Sequence, residues 1–350
     1  MKRFICILLL AVIALSALVS CGSAEDIQTT AAPSTDTGTQ TSAPETADTA
    51  ADTEDTAEGE TTVTEQSTDA PQPSPYGQFT YTENKVNAMV SAPYAILIDA
   101  KTKEILYINC EPDAKIYPAS TTKVLTAIVA LKHCEPDVVF KPGNELELVA
   151  KDSSIAYVKS RHELSLEMLI EGMMLPSGGD AAYVVAAGVG KKIAGNDSLT
   201  GKEAVAVFMD EMNRYAKEEL GLTGSHFTCP DGYHDDDHYT TPIDIMTVAY
   251  AALSEPLIMK YAATHDDDVR YASGHKNTWV NTNSLIDPES PYFYENATGL
   301  KTGTTDEAGC CLLSSAAFGS KKVIAGVFAA ESNKVRFSDS RALLTAGINR

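Results

Sequence analysis

Two short apolar runs open the patterned part of the chain. Tyr94 to Asp99 and Glu104 to Ile108 are rich in β-forming residues and flank a polar link, Ala100-Lys101-Thr102-Lys103, which predicts an antiparallel hairpin. From Thr121 to Lys132 the period changes: Val124, Leu125, Ile128, Val129 and Leu131 form a stripe at helical spacing. Leu164 to Met174 and Ala181 to Ala187 predict helices on either side of Pro176-Ser177-Gly178-Gly179, and Lys202 to Leu220 a long amphipathic helix stopped by Gly221. Thr241 as N-cap with Pro242 at the first helical position starts another, running to Leu253. A polar middle follows, then strands at Gly299 to Lys301, Cys311 to Ala316 and Val323 to Ala330, and a closing helix from about Ser338 to Ala346. Strands, then helices, then strands predict an α/β (α+β) fold. If the first hairpin pairs with the last strands, a central antiparallel sheet is flanked by helices on both faces, with a helical subdomain between.

The first 80 residues do not share this patterning. Lys2 and Arg3 precede an apolar run from Phe4 to Val19, short for a membrane span, and Leu18-Val19-Ser20-Cys21 follows as a cleavage region. The last four resemble the lipobox of bacterial lipoproteins, which implies that Cys21 carries a lipid anchor; the other reading is an ordinary signal peptide with an incidental cysteine. Gly22 to Pro75 holds 12 acidic residues and no Lys or Arg. With so little apolar surface to bury, it reads as a disordered, self-repelling spacer. The expected organisation is a signal at 1–21, a spacer at 22–80 and one globular domain at 81–350.

Net charge is −21, of which −11 belongs to residues 76–350, and so acidic a chain argues against nucleic-acid binding. Beyond Cys6 and Cys21 there remain Cys110, Cys134, Cys229, Cys310 and Cys311. An odd number without zinc-like spacing reads as buried free thiols, with one disulfide left open.

The chemistry concentrates at Tyr117-Pro118-Ala119-Ser120-Thr121-Thr122-Lys123. Ser120 stands three residues before Lys123 where a turn enters an apolar helix, so the amine can reach the hydroxyl. Two readings fit Ser120: a helix N-cap, or a nucleophile whose base is a desolvated lysine. A second Ser-x-x-Lys stretch, Ser273 to Lys276, lies in a polar loop with no apolar helix behind it and reads as accidental. Downstream, Ser177 offers a hydroxyl for a proton relay. Gly299-Leu300-Lys301-Thr302-Gly303-Thr304 offers positive charge, a carboxylate donor, room for a substrate backbone and an amide for an oxyanion.

Together these stretches match the Ser-x-x-Lys, Ser-x-Asn and Lys-Thr-Gly pattern of penicilloyl-serine transferases. Within that superfamily residues 86–350 resemble the penicillin-binding D-alanyl-D-alanine carboxypeptidases. The likeness also takes in Phe227 to Asp231, His238-Tyr239-Thr240-Thr241, Asn281-Thr282-Asn283 and Val335-Arg336-Phe337. It implies that Ser120 is acylated by the carbonyl between two terminal D-alanines of a peptidoglycan stem peptide. Lys123 is then the base and Ser177 part of the relay. The amides of Ser120 and Thr304 form the oxyanion hole, and Lys301, Thr302 and Arg336 hold the terminal carboxylate beside Gly303. β-Lactams are the implied inhibitors, and no cofactor is implied.

One position departs from the pattern. The second motif ends in Gly179 where the family has Asn, so a partner expected to steady Lys123 is absent. That keeps open a poorly catalytic module that binds penicillin or wall peptide; a β-lactamase is disfavoured, since no glutamate stands as a deacylating base. His234-Asp235-Asp236-Asp237-His238 and His265-Asp266-Asp267-Asp268 lack the helical spacing of a zinc protease site and read as solvated loops, with a bound cation the other reading. The chain ends with its closing helix, so the lipid at Cys21 is the expected anchor, on the outer face of the cell membrane.

Overall fold

Strand β1 (Tyr94–Asp99) and strand β2 (Ile105–Ile108) form the expected hairpin. In β1 successive side chains point to opposite faces: Ile96 and Ile98 join a large apolar core, Ala95 and Leu97 a smaller one. The computed structural model describes residues 77–272 and 274–350, all inside one unit, Thr68–Arg350. The signal segment, Cys21, nearly all of the acidic spacer and Ser273 lie outside the described residues. Phe79 is 3% exposed and Thr80 hydrogen-bonds Lys103 and Ile105, so packing already begins ahead of residue 81.

A 3₁₀ turn, Ala119–Thr122, leads into helix α1 (Lys123–His133), which is buried along most of its length. The short strands β3 (Val139–Phe140) and β4 (Leu164–Ser165) pair and hand the chain to α2 (Leu166–Met174), α3 (Gly179–Ala194) and α4 (Gly201–Glu218). Ser165 caps α2, and a reciprocal Thr200–Glu203 capping box starts α4. Helix α5 (Pro242–Ala252) opens on the Thr241 cap with Pro242 first, as expected, and α6 (Pro256–Ala262) follows. A hairpin of β5 (Asp266–Arg270) and β6 (Lys276–Val280) comes next. The chain then returns through β7 (Ala297–Thr305), β8 (Gly309–Phe318) and β9 (Lys321–Ala330), and closes with α7 (Asn333–Asn349).

The main sheet is antiparallel in the order β2-β1-β9-β8-β7, with Ile96 opposite Gly326 where the first hairpin meets the last strands. Helix α7 covers one face through Phe337, Leu343, Leu344 and Ile348; α1 and α5 contribute to the larger core on the other. Strand β7 is left as an edge, and the 3₁₀ turn packs against it.

Several elements differ from expectation: α6, β3 and β4 had no signal, and β7 and β8 run past their expected ends. Helix α3 continues past Ala187 because Gly188 and Gly190 let neighbours approach: a Cβ on Gly190 would lie 1.9 Å from Ala204 O of α4. Helix α7 starts five residues early, on a Ser332 cap that accepts from Val335 N. The run Asp266–Asp268 is a strand rather than a loop. Val269 and Trp279 anchor that hairpin from its buried side while the carboxylates stay exposed.

Candidate active site

Backbone geometry sets the first pair. Ala119 takes a φ of +48°, an uncommon conformation for a residue with a Cβ, and Thr121 Oγ1 ties the turn by donating to Pro118 O at 2.7 Å. The turn and the first residue of α1 then place two side chains on one face. Lys123 Nζ lies 2.9 Å from Ser120 Oγ and 2.6 Å from Asp231 O. Neither the turn nor α1 has a side-chain cap, so Ser120 faces its lysine and does not cap a helix.

A second lysine–serine pair sits behind the first. Ser177, at φ +62° between α2 and α3, accepts from Lys301 Nζ at 2.9 Å, and Lys301 also donates to Thr302 O at 2.9 Å. Both lysines are 1% exposed. Burial lowers the affinity of each for a proton. Lys301 is pushed down further by the cations Lys123 and Arg336, whereas the fall at Lys123 is opposed by Asp231 first, then Cys229 and Asp180. Ser177 thus pairs with Lys301, a residue assigned from the sequence to the substrate carboxylate.

The motif on β7 packs directly against the Ser120 turn. A Cβ on Gly303 would stand 2.8 Å from Ser120 N, so the glycine is what lets the edge strand press against the Ser120 turn. Thr302 Oγ1 lies 2.5 Å from Thr282 Oγ1. Arg336 is 5% exposed and does not line the cleft beside Ser120. Its Nη1 donates to Gly303 O at 3.1 Å, Thr304 Oγ1 at 3.0 Å and Cys311 O at 3.3 Å, and Nη2 to Asn333 Oδ1 at 2.6 Å. It grips the strand from behind and orients the Thr304 hydroxyl.

A cleft of about 340 Å³ opens over Ser120, Lys123 and Thr304. Its remaining walls are Asp152 to Ser154, Asp231 to His234 and Thr305 to Glu307, none of which the sequence pattern had assigned to the site. The rim is acidic, carrying Asp152, Asp231, Asp306 and Glu307. Gly232 brings the 231–234 segment in: at φ +79°, its missing side chain leaves room for Ala119 O, which a Cβ would approach to 1.9 Å. The Phe227–Asp231 stretch and the histidine run from His234 were the sequence signals for this wall, and neither had been given a role at Ser120.

The histidine run there is not a solvated loop throughout. Asp235 to Asp237 are exposed, but His238 is 2% exposed. Its Nδ1 accepts from Thr228 N at 3.0 Å, so Nε2 carries the proton and donates to Thr122 Oγ1 at 2.9 Å. Burial drops its pKa to about 4, which keeps it neutral and clamps the wall to the Ser120 turn. Among the described residues no group of three or more His, Cys, Asp or Glu side chains is placed to hold a metal ion. The five cysteines at 110, 134, 229, 310 and 311 are free.

The sequence profile of the D-alanyl-D-alanine carboxypeptidases matches residues 80–332, which takes in Ser120, Lys123, Ser177 and Lys301 to Thr304 but stops short of Arg336. The chain belongs to that family. It is 30% identical over 248 residues to D-alanyl-D-alanine carboxypeptidase DacF of Bacillus subtilis, a match covering 70% of this chain and 59% of DacF. Among solved structures the fold is similar to the Streptomyces K15 DD-transpeptidase, with a TM-score of 0.67 and 30% identity over 75% of this chain and 98% of that one. It is also similar to penicillin-binding protein D2 from Listeria monocytogenes in its cefotaxime-bound form, with a TM-score of 0.61 and 26% identity over 75% and 99% of the two chains. The expected mixed fold with a central antiparallel sheet is the fold of these relatives.

Proposed function

We propose that this family member is a serine D-Ala-D-Ala carboxypeptidase that trims peptidoglycan stem peptides. The observation that carries the reading is the 2.9 Å line between Lys123 Nζ and Ser120 Oγ, in a cleft beside the edge strand that bears Lys301-Thr302-Gly303. Neutral Lys123 takes the Ser120 proton as Oγ attacks the carbonyl between the two terminal D-alanines. The oxyanion forms against the amides of Ser120 and Thr304. Lys123, through the buried Ser177–Lys301 pair, returns a proton to the leaving amine. D-Alanine departs and leaves an ester on Ser120. Water, deprotonated along the same line, cleaves that ester and restores the hydroxyl. Lys301 and Thr302 attract the terminal carboxylate, and Arg336 acts through the Thr304 hydroxyl that it orients. A β-lactam presents the same carbonyl and acylates the same oxygen; the cefotaxime-bound relative supports this.

Gly179 favours a second reading, a wall-peptide or penicillin receptor that turns over poorly, because it supplies no side-chain amide where the family pattern has Asn. One experiment separates the two. Fluorescent penicillin should label the wild-type chain and not Ser120→Ala, and the wild type should release D-alanine from diacetyl-Lys-D-Ala-D-Ala. Equal labelling of Ser120→Ala sinks the nucleophile; labelling without release selects the receptor.

The export segment supports an extracytoplasmic place, with the Cys21 thiol lipidated on the outer face of the membrane and the acidic spacer holding the domain off it. Among the described residues no helix is long and apolar enough to cross a membrane. Incorporation of labelled palmitate that survives Cys21→Ala would refute the anchor.

A further inference from the structure

At the start of α3 the backbone of Gly179 faces a side chain from a distant loop. A Cβ built there would lie 2.7 Å from Asp231 Oδ2 and 3.4 Å from Ser153 Cβ. Asp231 is 2% exposed and fixed at three points. Its Oδ2 accepts from Ser153 Oγ at 3.3 Å, its Oδ1 from Tyr233 N at 3.2 Å, and its carbonyl from Lys123 Nζ at 2.6 Å. The carboxylate therefore occupies the space into which a side chain at 179 would project, on the wall of the cleft that holds Ser120 and Lys123.

We propose that Asp231 stands in for the side chain missing at position 179 and is a positioning residue for Lys123, a reading that rests on the Ser120–Lys123 chemistry proposed above. The two sites are far apart in sequence but share one volume, so the loss at 179 and the carboxylate at 231 form a single exchange. The exchange changes the chemistry. An Asn amide both donates and accepts, whereas a carboxylate only accepts. A side-chain acceptor is kept on this wall, a side-chain donor is lost, and a negative charge is added.

That charge acts on the base. Facing Lys123 are Asp231, Cys229 and Asp180 from the loop and α3, and the Lys301 cation from β7. Asp231 is the foremost of those opposing the effect of burial. Its main-chain carbonyl holds the amine in place at 2.6 Å, and its carboxylate opposes the loss of the lysine's proton that burial favours.

The test is a double-mutant cycle in the full chain: wild type, Gly179→Asn, Asp231→Ala and the double variant, read by thermal melting and by the acylation rate with fluorescent penicillin. If the side chains share one volume, Gly179→Asn must displace Asp231, and Asp231→Ala makes room for it. The double variant should then acylate about tenfold or more faster than the product of the single effects predicts, and melt above the additive expectation. Additivity in both readouts overturns the proposal. Asp231→Asn keeps the shape without the charge and should move the acidic limb of the acylation–pH profile down by about half a unit or more, with a similar plateau. A limb that stays in place overturns the role toward Lys123. If the wild type forms no acyl-enzyme, the proposed function fails, and the melting cycle alone still decides whether the two side chains share one site.

Discussion

Lys301 Nζ and Ser177 Oγ lie 2.9 Å apart, in a pocket where the lysine is 1% exposed. The pair joins the edge strand β7 to the loop between α2 and α3, directly behind the Ser120–Lys123 pair. A buried ammonium that loses an oxygen partner is costly, and a relay that loses its hydroxyl is slow. Ser177→Ala should therefore lower the rate of D-alanine release by about 10²- to 10⁴-fold, with a smaller change in KM. A rate within a few-fold of wild type removes Ser177 from the relay.

In the proposed mechanism Lys123 is a base only when neutral. Burial holds its pKa below the 10.5 of an exposed lysine, with Asp231, Cys229 and Asp180 pulling partly back. Acylation should rise with pH along a limb that lies below 10.5 and flatten above it. The measurement is the pH dependence of the second-order acylation rate. A limb at or above that value contradicts a desolvated base.

His238 makes the fold sensitive to acid. Its pKa is about 4 in the folded chain against 6.5 when exposed, so between those values the unfolded chain binds the proton and the folded one does not. Stability should fall as pH drops through that window, by about 1.4 kcal/mol per pH unit for this one group. His238→Gln should melt at a lower temperature at neutral pH but lose less on acidification. An unchanged slope places the acid sensitivity elsewhere.

Glu171 acts in the opposite sense. Burial first, then the adjacent Asp267 carboxyl, raise it from 4.5 to about 8. The folded state holds this proton where the unfolded state has released it, so its contribution is complete below 4.5 and lost as pH rises towards 8. Glu171→Gln should flatten the melting temperature across that range and raise it at alkaline pH. Differential scanning calorimetry of the two proteins decides this, and parallel curves would refute it.

Periodic apolar residues sufficed for the elements whose signal is local. The first hairpin, α1, the capped start of α5 and the strands of the main sheet were legible because caps, turns and apolar stripes act over a few residues. The β5–β6 hairpin was hidden because three aspartates mark a solvated loop, until cross-strand pairing and a buried Trp279 give them a partner strand. The length of α3 was hidden for a similar reason: the apolar run stops at Ala187, and only the neighbours packed on Gly188 and Gly190 show why the helix goes on.

The sequence by itself determined the chemistry-bearing triplet, Ser120 with Lys123, Ser177, and Lys301-Thr302-Gly303, because spacing along one helix and a short motif are local properties. Tertiary structure decided the partnerships: Ser177 with Lys301, Arg336 behind β7, His238 clamped to Thr122, and Asp231 in the space left by Gly179. Those are contacts between segments dozens of residues apart. Close packing fixes which groups share a volume and which charges are desolvated together, and no local pattern encodes that.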